Sequence, residues 1–250
     1  MNSKLLKLLS ENRSAAKAIA PSSRIVQSAG SKEATLYIYD PIVSDATEAE
    51  FFGGVCPQDL VPQLLALDAE VINLRINSPG GDVFAAQAIS TALKQHPAKV
   101  VAHIDGVAAS AATAIACACD EVVIAEGSLY MIHNAWTMAL GDRNDFLETA
   151  ALLEKIDGML ADTYVARTGK EKEELSALMD AETWFTADEA VEMGFADRKA
   201  ETKAKNAWNL SAYAKAPPPD PANEPKDEPA AAGFFMSETN ANRLRLALVA

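Results

Sequence analysis

Positive charge is in short supply. The chain carries 22 Lys and Arg against 35 Asp and Glu, a formal net charge of −13 at pH 7. Binding to phosphate backbones needs clustered Lys and Arg, so nucleic acid is excluded as a partner, and an anionic membrane surface is disfavoured with it. Cysteine is scarce too. Cys56, Cys117 and Cys119 are an odd number with no disulfide-framework spacing. Cys117 and Cys119 lie in an Ala-rich run and read as buried, reduced thiols. No second ligand cluster accompanies them, so no metal site is expected. No Gly-x-x-x-x-Gly-Lys loop is present, and no cofactor is expected. No apolar run reaches membrane-spanning length. The leucines of Met1 to Ser23 are broken by Lys7 and followed by Ser10-Glu11-Asn12-Arg13, too short and polar for a signal peptide. A soluble, cytoplasmic protein is the expectation.

Hydrophobic residues are plentiful, at 49%, enough for one medium domain with tails. Residues 4–19 read as an amphipathic helix used peripherally or in assembly. From about 35 to 135, strands and helices alternate. Strands are expected at Thr35–Tyr39, Val71–Ile76, Lys99–Ile104, Glu121–Ala125 and Ser128–Ile132. Helices are expected at 57–69, Val83–Gln95 and Ser110–Cys119. Short connections favour parallel strands with crossover helices, an α/β layered core. The Pro79-Gly80-Gly81 turn and Ser110 both follow strands, where open α/β sheets place ligands.

A long helix is expected over 143–168, from the spacing of Phe146, Ala150, Leu153, Ile156, Leu160 and Tyr164, with Gly169 as its stop. Helices at 172–179 and 187–193 follow, and Gly194-Phe195-Ala196-Asp197 closes the ordered core. Prolines then cluster from Pro217 to Pro229 among Lys, Asp and Glu, the composition of an extended, disordered linker. The organisation expected is an N-terminal segment 1–30, a domain 31–200 and a Pro-rich acidic tail 201–250.

Chemistry points to Gly106-Val107-Ala108-Ala109-Ser110-Ala111 and Met131-Ile132-His133. Alone, Ser110 could simply let an Ala-rich helix pack closely. A serine becomes a nucleophile when a neighbouring base takes its proton, and the chain has three histidines. His96 precedes Pro97 in a polar loop and reads as solvent-facing. His103 sits inside a strand. His133 follows the strand after the serine helix and can return beside it. The carboxylate that fixes a histidine tautomer is either Asp180 or Glu182, which spacing does not separate. Trp184 is expected to anchor the last loop in the core, and Trp136 to pack near the long helix.

Ile76-Asn77-Ser78-Pro79-Gly80-Gly81, Gly106 to Ser110, Met131-Ile132-His133 and Thr186 to Gly194 together resemble the Clp protease proteolytic subunit family, over roughly residues 34–198. The Glu182-Thr183-Trp184-Phe185-Thr186-Ala187 string and the Pro-rich extension look most like the phage and prophage head maturation branch. The resemblance implies a crotonase-like β/α spiral with a protruding handle helix at 143–168. It implies Ser110 as nucleophile, His133 as base, and the Gly81 and Ala111 N–H groups as oxyanion hole. It places the acid at Glu182, where the family usually has Asp, with Asp180 as second choice. It also implies a ring-type homo-oligomer acting on protein substrates, capsid or scaffold proteins in that branch. The alternatives are a cytoplasmic peptidase with an ATP-dependent unfoldase, a crotonase-type acyl-CoA enzyme, and an inactive structural or scaffold protein.

Overall fold

The computed structural model describes residues 24–203 and 208–218; the helix expected over 4–19 lies outside them. In chain order the elements are β1 (Ile25–Gln27), β2 (Glu33–Ile38), α1 (Ala46–Phe52), α2 (Pro57–Leu65), β3 (Val71–Ser78), α3 (Val83–Gln95) and β4 (Lys99–Ala109). Then come α4 (Ala111–Cys117), β5 (Glu121–Glu126), β6 (Leu129–Ile132), α5 (Arg143–Thr168), α6 (Lys172–Asp180), β7 (Thr183–Thr186), α7 (Ala187–Glu192) and β8 (Arg198–Lys203). The sheet runs β1-β2-β3-β4-β5-β8, with β6 pairing β4 and β7 off that path. β2 to β5 and β8 are parallel neighbours, as the alternation of strands and helices predicts; β1–β2 and β6–β7 are antiparallel.

Strict alternation in β3 puts Ile72, Leu74 and Ile76 in the core and Asn73 and Arg75 on the other face. Leu60 and Leu64 of α2, Ile89 and Leu93 of α3, and Ile115 of α4 close over the apolar face. The opposite face is half-buried and polar. Arg75 forks onto Asp105 at 2.7 and 2.5 Å, Tyr39 bonds the same carboxylate, and His103 faces Asn73 at 3.2 Å.

Several elements differ from expectation. β4 continues five residues past Ile104, because Val107 to Ala109 find a new partner in β6. The Ser110–Cys119 helix begins at Ala111, since Ser110 is a non-helical cap. β1, α1, β7 and β8 were not expected; β8, Arg-Lys-Ala-Glu-Thr-Lys, is a charged edge strand with no apolar signal. His96 is a correction. It is 7% exposed, its Nδ1 accepts the Ala98 N–H at 3.1 Å, and its Nε2 therefore donates to the Leu67 carbonyl at 3.2 Å. Trp184 is half-buried at a sheet edge rather than in the main core. Helix α5 ends on left-handed Gly169 as its spacing predicts. Only its C-terminal half packs inward, through Leu160, Ala161 and Tyr164; Phe146, Leu147 and Leu152 stand exposed.

One buried ion pair supports the turn after β3. Arg24 bonds the Asp40 carboxylate and donates to Gly54 O at 2.9 Å; Asp40 O in turn accepts Ser78 Oγ at 2.7 Å. Burial raises the Asp40 carboxyl from 3.8 to about 6 despite Arg24. The folded chain thus holds this proton to higher pH than the unfolded chain, and the group withdraws stability as pH rises from 3.8 to about 6. Arg24→Met leaves Asp40 unpaired and should cost about 3–5 kcal/mol at pH 8, read by urea unfolding. The loss should shrink at pH 5, where protonation neutralises Asp40; an equal loss at both pH values contradicts this account.

Candidate functional site

Strand β4 pairs with β5 from Val101 to Ile104, then with β6 from Val107 to Ala109. The pairing with β3 slips at the same place, between Ile76 and Ser78. Side chains catch the backbone groups released there. Ser128 Oγ donates to Ile104 O at 3.0 Å, and Val107 N–H donates to Asn77 Oδ1 at 3.2 Å. The new register opposes Ala109 and Met131, and Ser110 N–H donates to Met131 O at 2.9 Å. Ser110 therefore leaves the sheet beside the end of β6, one residue before His133. The ring Nε2 of His133 lies 2.7 Å from Ser110 Oγ. His133 is buried and Ser110 partly exposed.

Ser110 has φ 54° and ψ −126°, a conformation that costs about 1–3 kcal/mol for a residue with a side chain. The sharp turn aims Oγ away from the sheet as α4 begins, in the manner of a nucleophile elbow. Gly80 makes room for it: a Cβ there would meet Ala109 O at 2.4 Å and Ser110 Cβ at 2.9 Å. Gly81 is pinned from the other side by Ile42, which donates to Gly80 O and accepts from Asp82 N–H, each at 2.9 Å. That ladder uses the groups flanking Gly81 rather than its own N–H. Ala111 opens α4, and its N–H has no acceptor within its own helix.

The loop after His133 is held by two carboxylates. Asp180 Oδ1 accepts Asn134 Nδ2 at 2.6 Å, and Asp157 Oδ1 accepts Ala135 N–H at 2.6 Å. Burial pushes the Asp157 carboxyl up, the Ala135 N–H opposes this, and nearby Asp180 adds to it. Asp157 was missed from the sequence; its one signal is an acidic residue between the inward-facing Ile156 and Leu160. Glu182 has φ 49° at the entry to β7. Met131 pairs with Trp184 and Ile132 with Thr183, so one step further in this register lies His133 with Glu182. Asp180 lies two residues beyond, engaged with Asn134.

Residues 208–218 fall in the expected Pro-rich acidic tail, yet they pack on this site. Trp208, Leu210 and Tyr213 bury themselves against Val107, Ala109 and Met131. Trp208 Nε1 donates to Asn77 O at 2.8 Å, and Tyr213 OH donates to Pro79 O. The Tyr213 ring meets His133 edge-on at 5.3 Å and Trp184 at 5.9 Å. Burial raises the pKa of its hydroxyl, and nearby Ser110 opposes that rise. Glu182 accepts the N–H groups of Ala214 at 3.0 Å and Lys215 at 2.6 Å. The legible signal was the Trp-x-Leu-x-x-Tyr spacing ahead of the prolines. Cys119 is a buried free thiol as expected, whereas Cys117 is free but only partly buried; burial raises the pKa of both. Among the described residues no cluster of His, Cys, Asp and Glu could hold a metal ion.

The Clp protease family profile matches residues 54–203. The chain is 34% identical over 143 residues to an ATP-dependent Clp protease proteolytic subunit 3 of Rhodococcus jostii, covering 56% of this chain and 71% of that protein. It is 31% identical over 150 residues to a proteolytic subunit 1 of Leifsonia xyli, covering 58% and 76%. A solved ClpP1 variant from Listeria monocytogenes superposes with a TM-score of 0.58 at 24% identity, over 67% of this chain and 91% of that one. This likeness shows a shared α/β fold, the spiral with a handle helix.

Two glycines should respond oppositely to alanine. At Gly81, with φ 147°, a Cβ would sit 1.9 Å from Ile42 O, so Gly81→Ala should lose about 3 kcal/mol or more. Gly158, inside α5, meets nothing within 4 Å, and Gly158→Ala should gain about 0.5–1 kcal/mol. Urea midpoints of the two variants check both signs.

Proposed function

The chain belongs to the Clp protease family, and we propose that it is a serine endopeptidase working through Ser110, His133 and Glu182. The observation that carries this reading is the 2.7 Å approach of His133 Nε2 to Ser110 Oγ, with the serine on a strained turn at a helix start. His133 takes the hydroxyl proton as Oγ bonds to the carbonyl carbon of the scissile peptide. The resulting oxyanion points at the N–H groups of Gly81 and Ala111, donors worth about 10²–10³ in rate each. His133 then protonates the departing amine, leaving an acyl ester on Ser110. Water, deprotonated by His133, attacks that ester and restores the serine. The β6–β7 register supports Glu182 rather than Asp180 as the acid, because it opposes Glu182 to His133. Asp180 then acts through Asn134, as a positioning residue.

Substrates are proteins or peptides, and the active form is a ring-type homo-oligomer. The exposed Phe146, Leu147 and Leu152 of α5 support assembly through the handle. Within the family, the Glu182–Ala187 string and the Pro-rich extension favour processing of capsid or scaffold proteins during phage head maturation. The curated relatives, named as ATP-dependent subunits, favour the second reading, an unfoldase-coupled peptidase. Among the described residues no helix is long and apolar enough to cross a membrane, and we place the protein in the cytoplasm. An acyl-CoA enzyme of crotonase type has no need of the Ser110–His133 pair.

A fluorophosphonate probe tests the chemistry. Ser110 should be the labelled residue by mass spectrometry, with labelling abolished in Ser110→Ala and slowed about 10³-fold or more in His133→Ala. A folded protein in which Ser110 stays unlabelled, in the wild-type chain and in Tyr213→Ala alike, overturns the proposal and leaves a structural role. For the acid, Glu182→Gln should lower peptide hydrolysis about 10²–10⁴-fold, and Asp180→Asn less than about tenfold. The reverse order reassigns the acid to Asp180.

A further inference from the structure

We propose that residues 208–218 are a built-in plug of the active site, which holds the chain latent until they are displaced; the proposal rests on the serine peptidase reading above. The segment engages the base and the acid of the proposed machinery and the turn beside them. The Tyr213 hydroxyl donates to Pro79 O, on the turn that carries Gly81. Its ring covers His133 edge-on at 5.3 Å. The next two amides, Ala214 and Lys215, both donate to Glu182, at 3.0 and 2.6 Å. Lys215 Nζ bonds Ala181 O, and Trp208 Nε1 anchors the other end on Asn77 O at 2.8 Å.

The segment is a plug rather than a substrate caught before cleavage. What it sets against His133 is a phenol ring, which has no acyl carbon to transfer. The ring fills the space beside Ser110 and His133 that a scissile peptide would need. Burial of Trp208, Leu210 and Tyr213 against Val107, Ala109 and Met131 makes the seat apolar and specific. In the seated state both Glu182 oxygens accept tail amides, which draws on the carboxylate's capacity to orient His133. Opening therefore releases the base and the acid together.

The test uses the full chain. Tyr213→Ala should raise the rate of fluorophosphonate labelling at Ser110 at least about tenfold, since apparent reactivity scales with the open fraction. Tyr213→Phe, which keeps the ring and loses the hydroxyl's bond to Pro79 O, should fall between. A peptide of residues 208–218 added to the Tyr213→Ala chain should slow labelling again, and the same peptide with Ala for Tyr should not. Hydrogen exchange reads occupancy without catalysis: the Ala214 and Lys215 amides should be protected in the wild type and lose protection in Tyr213→Ala, while core strands stay protected in both. Equal labelling of wild type and Tyr213→Ala, or unprotected amides in the wild type, overturns the plug and leaves the peptidase reading standing. Cleavage between 204 and 218 in the wild type but not in Ser110→Ala overturns it by making the segment a substrate. If neither chain labels while the amides are protected, the serine reading itself has failed, and the plug's function with it.

Discussion

Strand β4 changes partner in mid-course, and the position of that change creates the site. Up to Ile104 it lies between β3 and β5; from Val107 its new neighbour is β6. A strand that changes neighbour in mid-course must release backbone groups at the corner, and buried ones need partners. Ser128 and Asn77 supply them. The consequence is a register in which the last residue of β4 opposes Met131, so the next residue out, Ser110, stands beside His133. Shifting that register by one residue would turn Ser110 to the opposite face. The dyad is thus a property of strand pairing, and its two members need no other element to bring them together.

The same corner explains the glycines and the strain. Ser110 sits in a conformation unfavourable for a residue with a Cβ, and the cost is carried by the surrounding packing. α4 behind it is built of Ala, Thr, Ile and Cys and is almost wholly buried. Gly80 in front has no Cβ to collide with it. Ile42, Ser78 and the Arg24–Asp40 pair then hold the turn that carries Gly80 and Gly81. A buried ion pair is weak support for overall stability. Here it ties the chain start of the described region to the backbone of that turn, a positional role.

The parallel core was legible because each strand alternates or runs apolar and each crossover helix has an inward stripe. Ser110 and His133 were legible because glycine and small residues flank them at strand ends. What escaped depended on distant partners. β8 looks charged throughout, yet pairs with β5 once the chain has returned to it. His96 looked solvated beside Pro97, but the Leu67 carbonyl, 29 residues away, covers its ring. Glu182 and Asp180 are two residues apart, and what sets them apart is distant: the β6–β7 register extended by one step opposes Glu182 to His133, while Asp180 bonds Asn134. The 208–218 segment was hidden by composition: prolines and charges just downstream masked three apolar residues whose seat is formed by strands a hundred residues earlier.

That seat has an energetic consequence. Val107, Ala109 and Met131 form a small apolar face outside the main core, and leaving it bare would expose apolar surface beside Ser110 and His133. A tethered segment covers it at an effective concentration on the order of millimolar, as expected for a short connection. Only residues 204–207 separate Trp208 from the end of β8. A free peptide of similar affinity competes poorly with such an occupant. A protein chain that binds at several points, or an assembly step that pulls on the tail beyond Pro218, competes well. The geometry therefore favours activation by a large or multivalent partner over activation by a small peptide, and it couples the opening of the cleft to the fate of the acidic, proline-rich extension.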